Sequence, residues 1–215
     1  LAVTADRGWA AESGQPTLAV VNVGKERPKI DGILDDAVWK KAKSSTAFRR
    51  PDGGDPTVKT RLLVARDADT VYLAVESFED AETLASLTAK VTVHDGYNIW
   101  NDDAIEIYID PANERFAHYQ IIVNSRGTTW DAYFPAPHYQ AVDMKWTPKY
   151  ESAVKIGKER WTVEFALPLE MFNWTCEFTS DWGFNVLRHR VKAKEYACWS
   201  PLGETGAHDP STFGR

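Results

Sequence analysis

The sequence predicts an all-β chain: a two-sheet antiparallel β-sandwich, immunoglobulin-like or jelly-roll-like, with one short helix near its N-terminus. Three observations carry this expectation. Apolar and polar residues alternate through much of the chain, the mark of half-buried strands. Clusters of Gly, Pro, Asp and Asn punctuate those runs, as in Asp52-Gly53-Gly54-Asp55 and Pro111-Ala112-Asn113. Only one stretch has helical spacing. At 215 residues the chain suits a single sandwich, a class that often reaches this size as one unit.

In chain order, residues 1–17 are expected to be a loose lead-in, compatible with what remains after removal of a leader peptide, and the domain is expected over 18–215. Strands are expected at Leu18–Val23, Val58–Ala65, Val71–Ser77, Ala104–Asp110, His118–Asn124, Thr128–Phe134, Tyr150–Ile156, Trp161–Leu167, Gly183–Val191 and Tyr196–Ser200. The helix is expected within Asp31–Ala42, where Leu34, Val38, Trp39 and Ala42 share one face. Asp35 is its expected N-cap, and Asp36 suits the positive end of the helix dipole. Alternation also assigns faces. Ile105, Ile107 and Ile109 point to the core, as do Tyr119, Ile121 and Val123, and Trp161, Val163, Phe165 and Leu167. Glu106, Tyr108, Gln120 and Asn124 then share the opposite face if their strands are neighbours.

Composition narrows function. The formal charge is −6 and no basic stripe exists, which argues against a nucleic-acid or anionic-membrane partner. No apolar run approaches the ~18 residues of a spanning helix. Nine Trp, eight Tyr and nine Phe are an unusual share; some must be core, and Trp is otherwise favoured at recognition surfaces, where a rigid flat face binds at low entropic cost.

Several segments occur in a telling order. They are Ile30-Asp31-Gly32 with Asp35-Asp36-Ala37-Val38-Trp39, then Trp100-Asn101-Asp102-Asp103-Ala104-Ile105-Glu106-Ile107-Tyr108-Ile109-Asp110 and Val123-Asn124. Trp182-Gly183-Phe184-Asn185, Trp199-Ser200-Pro201 and the stretch from His208 to Gly214 follow. Together they resemble the family 9 carbohydrate-binding modules of the DOMON-like β-sandwich group. The resemblance implies an antiparallel sandwich that binds poly- or oligosaccharide without catalysis, in a slot between two Trp side chains. It also implies structural calcium and covalent linkage to a catalytic domain of a secreted or cell-surface bacterial enzyme, such as a xylanase. Trp100 matches the first slot Trp, Glu106 a carboxylate that bonds sugar hydroxyls, and Asn124 a nearby polar position. Ala207 and His208 stand where the second Trp would be, Ile122 replaces an Arg and Leu187 a Gln. The family continues into a further strand beyond Arg215, so the domain is expected to stop short of it.

A sugar offers an apolar C–H face and a ring of hydroxyls, which a flat aromatic and charged or amide groups satisfy. Trp100 with Glu106, Gln120 and Asn124 supplies that mixture. Trp130, Asp131 and Tyr133 extend it, and His208 is expected to close the slot. The bland alternatives are a loop anchor for Trp100, a pair with Arg188 or Arg190 for Glu106, a turn cap for Asn124, and a loop-ordering role for His208. Arg188 has core parity and needs a carboxylate partner, either structural or as part of a site for an acidic sugar. Trp182 and Trp199 are expected in the core. Asp102, Asp103, Asp95 and Asp31 are the expected calcium ligands, with helix capping and turn chemistry as their alternatives. Cys176 and Cys198 permit one disulfide. Three other functions stay open: a purely structural or protein-interaction sandwich, a glycoside hydrolase using Asp102, Asp103 and Glu106, and a haem domain using Met144 or Met171 with His118, His138 or His189.

Overall fold

The alternating segments become two sheets in the computed structural model, which describes residues 14–172, 181–203 and 206–215. The strands are β1 (Val21–Asn22), β2 (Lys43–Ser45), β3 (Thr60–Arg66), β4 (Thr70–Phe78), β5 (Ala104–Asp110), β6 (His118–Asn124), β7 (Thr129–Phe134), β8 (Glu151–Ile156), β9 (Arg160–Pro168), β10 (Gly183–Arg190) and β11 (Glu195–Cys198). Two short helices, α1 (Ala37–Lys41) and α2 (Ala81–Leu84), and three 3-10 turns complete the elements among the described residues. The first sheet runs β1-β3-β4-β9-β8, with β2 also on β3, and the second runs β11-β10-β5-β6-β7. All pairings are antiparallel except the short β1–β3 pair.

The core lies between the sheets, as the alternation requires. Leu62, Leu73, Val75, Val163 and Phe165 of the first sheet face Ile105, Ile107, Tyr119, Ile121 and Val186 of the second. Each such side chain contributes roughly 1.5–3 kcal/mol on burial. Trp199 is buried among them, and Trp182 packs against them partly exposed. Strands β5 and β6 have the bounds the sequence predicts.

Other expectations shift. The strand expected at Leu18–Val23 shrinks to Val21–Asn22, which pairs in parallel with Ala65 and Arg66 of β3. The helix is one short piece, and Asp36, not Asp35, occupies its N-cap. The Asp36 carboxylate accepts from the Lys29 backbone N–H at 3.1 Å instead of capping the helix.

Both outer faces are covered. On the first sheet, Val38 and Trp39 of α1 pack on Leu63, Tyr72, Ala74 and Ala166. Glu164 sits beneath them, fully buried. It accepts from the backbone N–H groups of Asp31 and Gly32 and from the Trp39 indole at 2.6 Å. Gly32 has φ +81°, and an added Cβ would meet Lys155 Cβ and N at 2.7 Å, so only glycine fits this close approach to β8. On the second sheet, every residue of β5 and β6 is buried, so the predicted polar face is not an open one. Val91, Ile99 and Trp100 cover its upper half, and Leu202, Ala207 and Phe213 its lower half.

Candidate functional site

Strand pairing places the predicted polar face in register. Tyr108 pairs with Gln120, and Ala104 with Asn124. Leu187 of β10 lies beside Glu106, so His189, two residues on, reaches the same face. Glu106 is the centre of the group. Its Oε2 accepts from the Tyr108 hydroxyl and from Gln120 Nε2 at 2.7 Å, and its Oε1 lies 2.7 Å from His189 Nε2. Gln120 Nε2 also donates to the Tyr108 oxygen at 2.8 Å, while its Oε1 is buried without a partner.

Electrostatics follow from this packing. Burial pushes the Glu106 carboxyl up, but the His189 charge, its hydrogen bond and the Tyr108 hydroxyl outweigh burial and hold the group below its usual range. Burial pulls His189 down, and Glu106 more than reverses this. An imidazolium–carboxylate pair is the result. The partner of Glu106 is therefore His189, not Arg188 or Arg190.

Aromatic side chains frame the cluster. Trp100 stands on the 3-10 turn Ile99–Asn101 before β5. It meets Tyr97 edge-on at 5.2 Å and the buried Trp130 edge-on at 6.3 Å. His208 is 5% exposed, beside Tyr108 and Phe134, with its Nδ1 3.0 Å from His118 Nε2. Burial lowers His208 to about 4, an effect Glu106 only partly offsets, and burial with the His208 charge lowers His118 to about 3. Tyr139, from the β7–β8 loop, lies over His208 with ring centroids 3.8 Å apart and remains 60% exposed. The His138 N–H donates to the His208 carbonyl at 2.9 Å, which ties that loop to the C-terminal segment. Tyr196 stacks on His189 at 5.7 Å and is also exposed.

The structure thus places Trp100, Glu106, Gln120, Trp130 and His208 on one outer face of the second sheet, with the Trp100–Trp130 pair beside the Glu106 cluster, and it separates others. All four hydrogen-bonding positions of Asn124 are used: Nδ2 donates to Val91 O and Asp102 Oδ2, and Oδ1 accepts from the Arg126 and Thr128 N–H groups. It is a turn cap with nothing left for a ligand. Arg188 faces the inter-sheet side. It donates to Glu79 at 2.6 Å, to Thr60 and to the carbonyls of Lys59 and Phe78. Asp131 and Tyr133 also lie on the inner side of β7, paired with Ile121 and Tyr119.

The calcium donor set does not converge either. Asp102 accepts from the N–H groups of Lys90 and Val91, and Asp103 from those of Thr88 and Val191. Asp31 lies in the loop over the opposite sheet, where it pairs with Lys29 and caps Ile33. Those three carboxylates are anchors for backbone, and only Asp95 stands elsewhere, beside β7. Cys198 is a buried free thiol that donates to the Arg49 carbonyl at 3.4 Å, and Cys176 lies outside the described residues.

Sequence reasoning named His189 only as a haem ligand, not as the partner of Glu106, and missed Tyr139 and Tyr196. Parity with Leu187 puts His189 on the Glu106 face and could have found it. The two tyrosines carry no local signal, because long-range loop and sheet contacts position them.

The family described as carbohydrate family 9 binding domain-like matches residues 30–215. A family 9 carbohydrate-binding module from Caldicellulosiruptor kristjanssonii, solved with glucose, is 17% identical, with a TM-score of 0.62 over 91% of each chain. The same kind of module solved with cellotriose gives 0.57, also at 17% identity over 91% of each chain. A protein from Bacteroides uniformis assigned to carbohydrate binding gives 0.71 at 17% identity, over 94% of this chain and 98% of that one. Comparison with curated proteins returns no match.

Proposed function

The chain belongs to the carbohydrate family 9 binding domain-like family, whose modules are non-catalytic, and from that premise we propose that it binds a sugar over Glu106 with Trp100 as its stacking wall. The observation that carries this reading is a buried, ionised carboxylate beside an unpartnered Gln120 acceptor, ringed by partly exposed aromatics. A carboxylate held by side chains can exchange a partner for a hydroxyl group, and the Gln120 oxygen awaits a donor. Trp100 and Tyr139 offer apolar faces on two sides. The bound glucose and cellotriose of the C. kristjanssonii modules point to an oligosaccharide. The same reading puts the module outside a bacterial cell as the ancillary part of a polysaccharide-active enzyme, which recovery of the full-length product from culture supernatant tests.

Titration calorimetry against mono- and oligosaccharides with native and chemically reduced ends tests the binding itself. Binding lost on reduction identifies a reader of chain ends, and equal binding to both forms a platform for chain interiors. One observation favours a second reading, a protein-interaction sandwich: His208 and Tyr139 fill the lower half of the face. The absence of heat with any sugar selects it.

A further inference from the structure

His94, Asp95 and Asp131 meet at the edge of the second sheet, away from the Glu106 face. One ligand atom from each lies within 4.8 Å of the other two. Three features show that this is more than a chance cluster. Asp131 is 1% exposed, and its Oδ1 has no hydrogen-bond partner. Its Oδ2 receives only the Tyr150 hydroxyl at 3.2 Å and faces His94 Nε2 at 3.9 Å. Keeping a buried carboxylate ionised with an empty oxygen is costly, and a compensating positive charge relieves that cost.

The orientation of His94 supplies the second feature. Its Nδ1 lies 3.0 Å from the Thr129 hydroxyl and 3.2 Å from the Thr129 carbonyl, and with the hydrogen on Nδ1 it donates to this pair of oxygens. In that tautomer the Nε2 lone pair points at two carboxylates, Asp95 at 3.3 Å and Asp131 at 3.9 Å. A lone pair facing two anions is repulsive unless a cation lies between them. A backbone carbonyl holding one ring nitrogen while the other faces a metal is the usual support for a ligating histidine. Protonation of Nε2 is the competing solution. Both distances exceed the ~2.7–2.9 Å of a charge-assisted N–H···O bond. Two donors each ~2.0–2.1 Å from a tetrahedral ion stand ~3.3 Å apart, which matches the His94–Asp95 spacing.

The third feature is the backbone. Asp95 has φ +58°, a left-handed conformation uncommon in residues other than glycine. Its N–H donates to Thr129 O at 3.0 Å, and its Oδ1 accepts from the Asp131 N–H at 3.3 Å. The loop is bent so that its carboxylate turns back onto β7.

We propose that His94, Asp95 and Asp131 bind one divalent transition-metal ion, of the zinc or manganese kind, which clamps the loop carrying Tyr97 to β7. An imidazole donor with two carboxylates selects such ions over calcium, which prefers oxygen ligands alone. His94 and Asp95 are partly exposed, so the ion has a route in and room for water in its remaining positions. The inference does not depend on sugar binding.

The test is calorimetric titration of chelator-stripped protein at pH 7.5 with Zn²⁺, Mn²⁺ and Ca²⁺ in turn, with the thermal midpoint measured alongside. One Zn²⁺ or Mn²⁺ per chain is expected, with a raised midpoint. At least tenfold weaker binding is expected in both His94→Ala and Asp131→Asn. His94→Ala removes a half-exposed ring, so it reports even if Asp131→Asn fails to fold. Uptake of neither ion, uptake unchanged in His94→Ala, or binding of Ca²⁺ alone overturns the proposal.

Discussion

Glu164 and Glu106 occupy corresponding places on opposite sides of the sandwich. Each is a buried carboxylate on a central strand, pointing away from the core under a layer of covering segments. Their partners differ. Glu164 is held by two backbone N–H groups, which cannot leave without moving the chain, and by the indole of the buried Trp39. Glu106 is held by a hydroxyl, an amide and an imidazole, all of which can rotate. Burial raises Glu164 despite its three donors, whereas His189 keeps Glu106 charged. A carboxylate fixed by backbone organises a loop, and one fixed by side chains remains open to exchange with a ligand.

The largest effect that would break this comparison lies at Glu164. Glu164→Ala leaves three buried donors unsatisfied and is expected to lower stability by about 4 kcal/mol in urea unfolding. An unchanged midpoint would show that the loop at Ile30–Gly32 is held without it. Gly32→Ala comes next, at about 3 kcal/mol, because the left-handed φ and the contact with β8 both resist a methyl group. The same unfolding assay reads it.

Glu106→Gln sharpens the other side. Sugar affinity is expected to fall at least tenfold by calorimetry, about 1.4 kcal/mol, with a smaller stability loss than at Glu164. Equal stability losses at the two sites would erase the distinction. The smallest effect is one of pH. The unfolded chain protonates His118 and His208 near 6.5, but the folded chain only near 3 and 4. Folding is therefore expected to weaken as pH falls from about 6.5 to about 4. His189 acts in the opposite sense: its raised value favours the folded state below 6.5, and that contribution fades as pH rises through the folded value. Replacing His208 with Phe should flatten the acid limb of a pH–midpoint curve and leave the alkaline limb unchanged.

Much of this was legible in the sequence, because period-two alternation is strict where one face meets the core. Strands β5 and β6 and the inward sets Ile105–Ile107–Ile109 and Tyr119–Ile121–Val123 follow directly. So does the grouping of Glu106, Tyr108 and Gln120. The cover over that face was not legible. Val91, Ile99 and Trp100, and Leu202, Ala207 and Phe213, reach it from distant parts of the chain, and alternation says nothing about what lies above a strand. For the same reason the acidic motif Asp102-Asp103 reads as a metal site in one dimension and as two backbone anchors in three. His94 escaped notice because its meaning depends on a β7 residue far along the chain.

The order of strands has a kinetic consequence. The chain leaves the first sheet after β4, builds β5 to β7 in the second, and returns for β8 and β9 before crossing again. The central ladders therefore join remote segments, Val75 with Val163 and Ile107 with Val186. Neither sheet can be completed until most of the chain has been sampled, so loop closure has to precede its reward. Refolding is expected on the scale of roughly milliseconds to seconds. During that interval the apolar edges of half-formed sheets lie open to other copies, and dilution should improve the yield of native protein more than any gain in equilibrium stability.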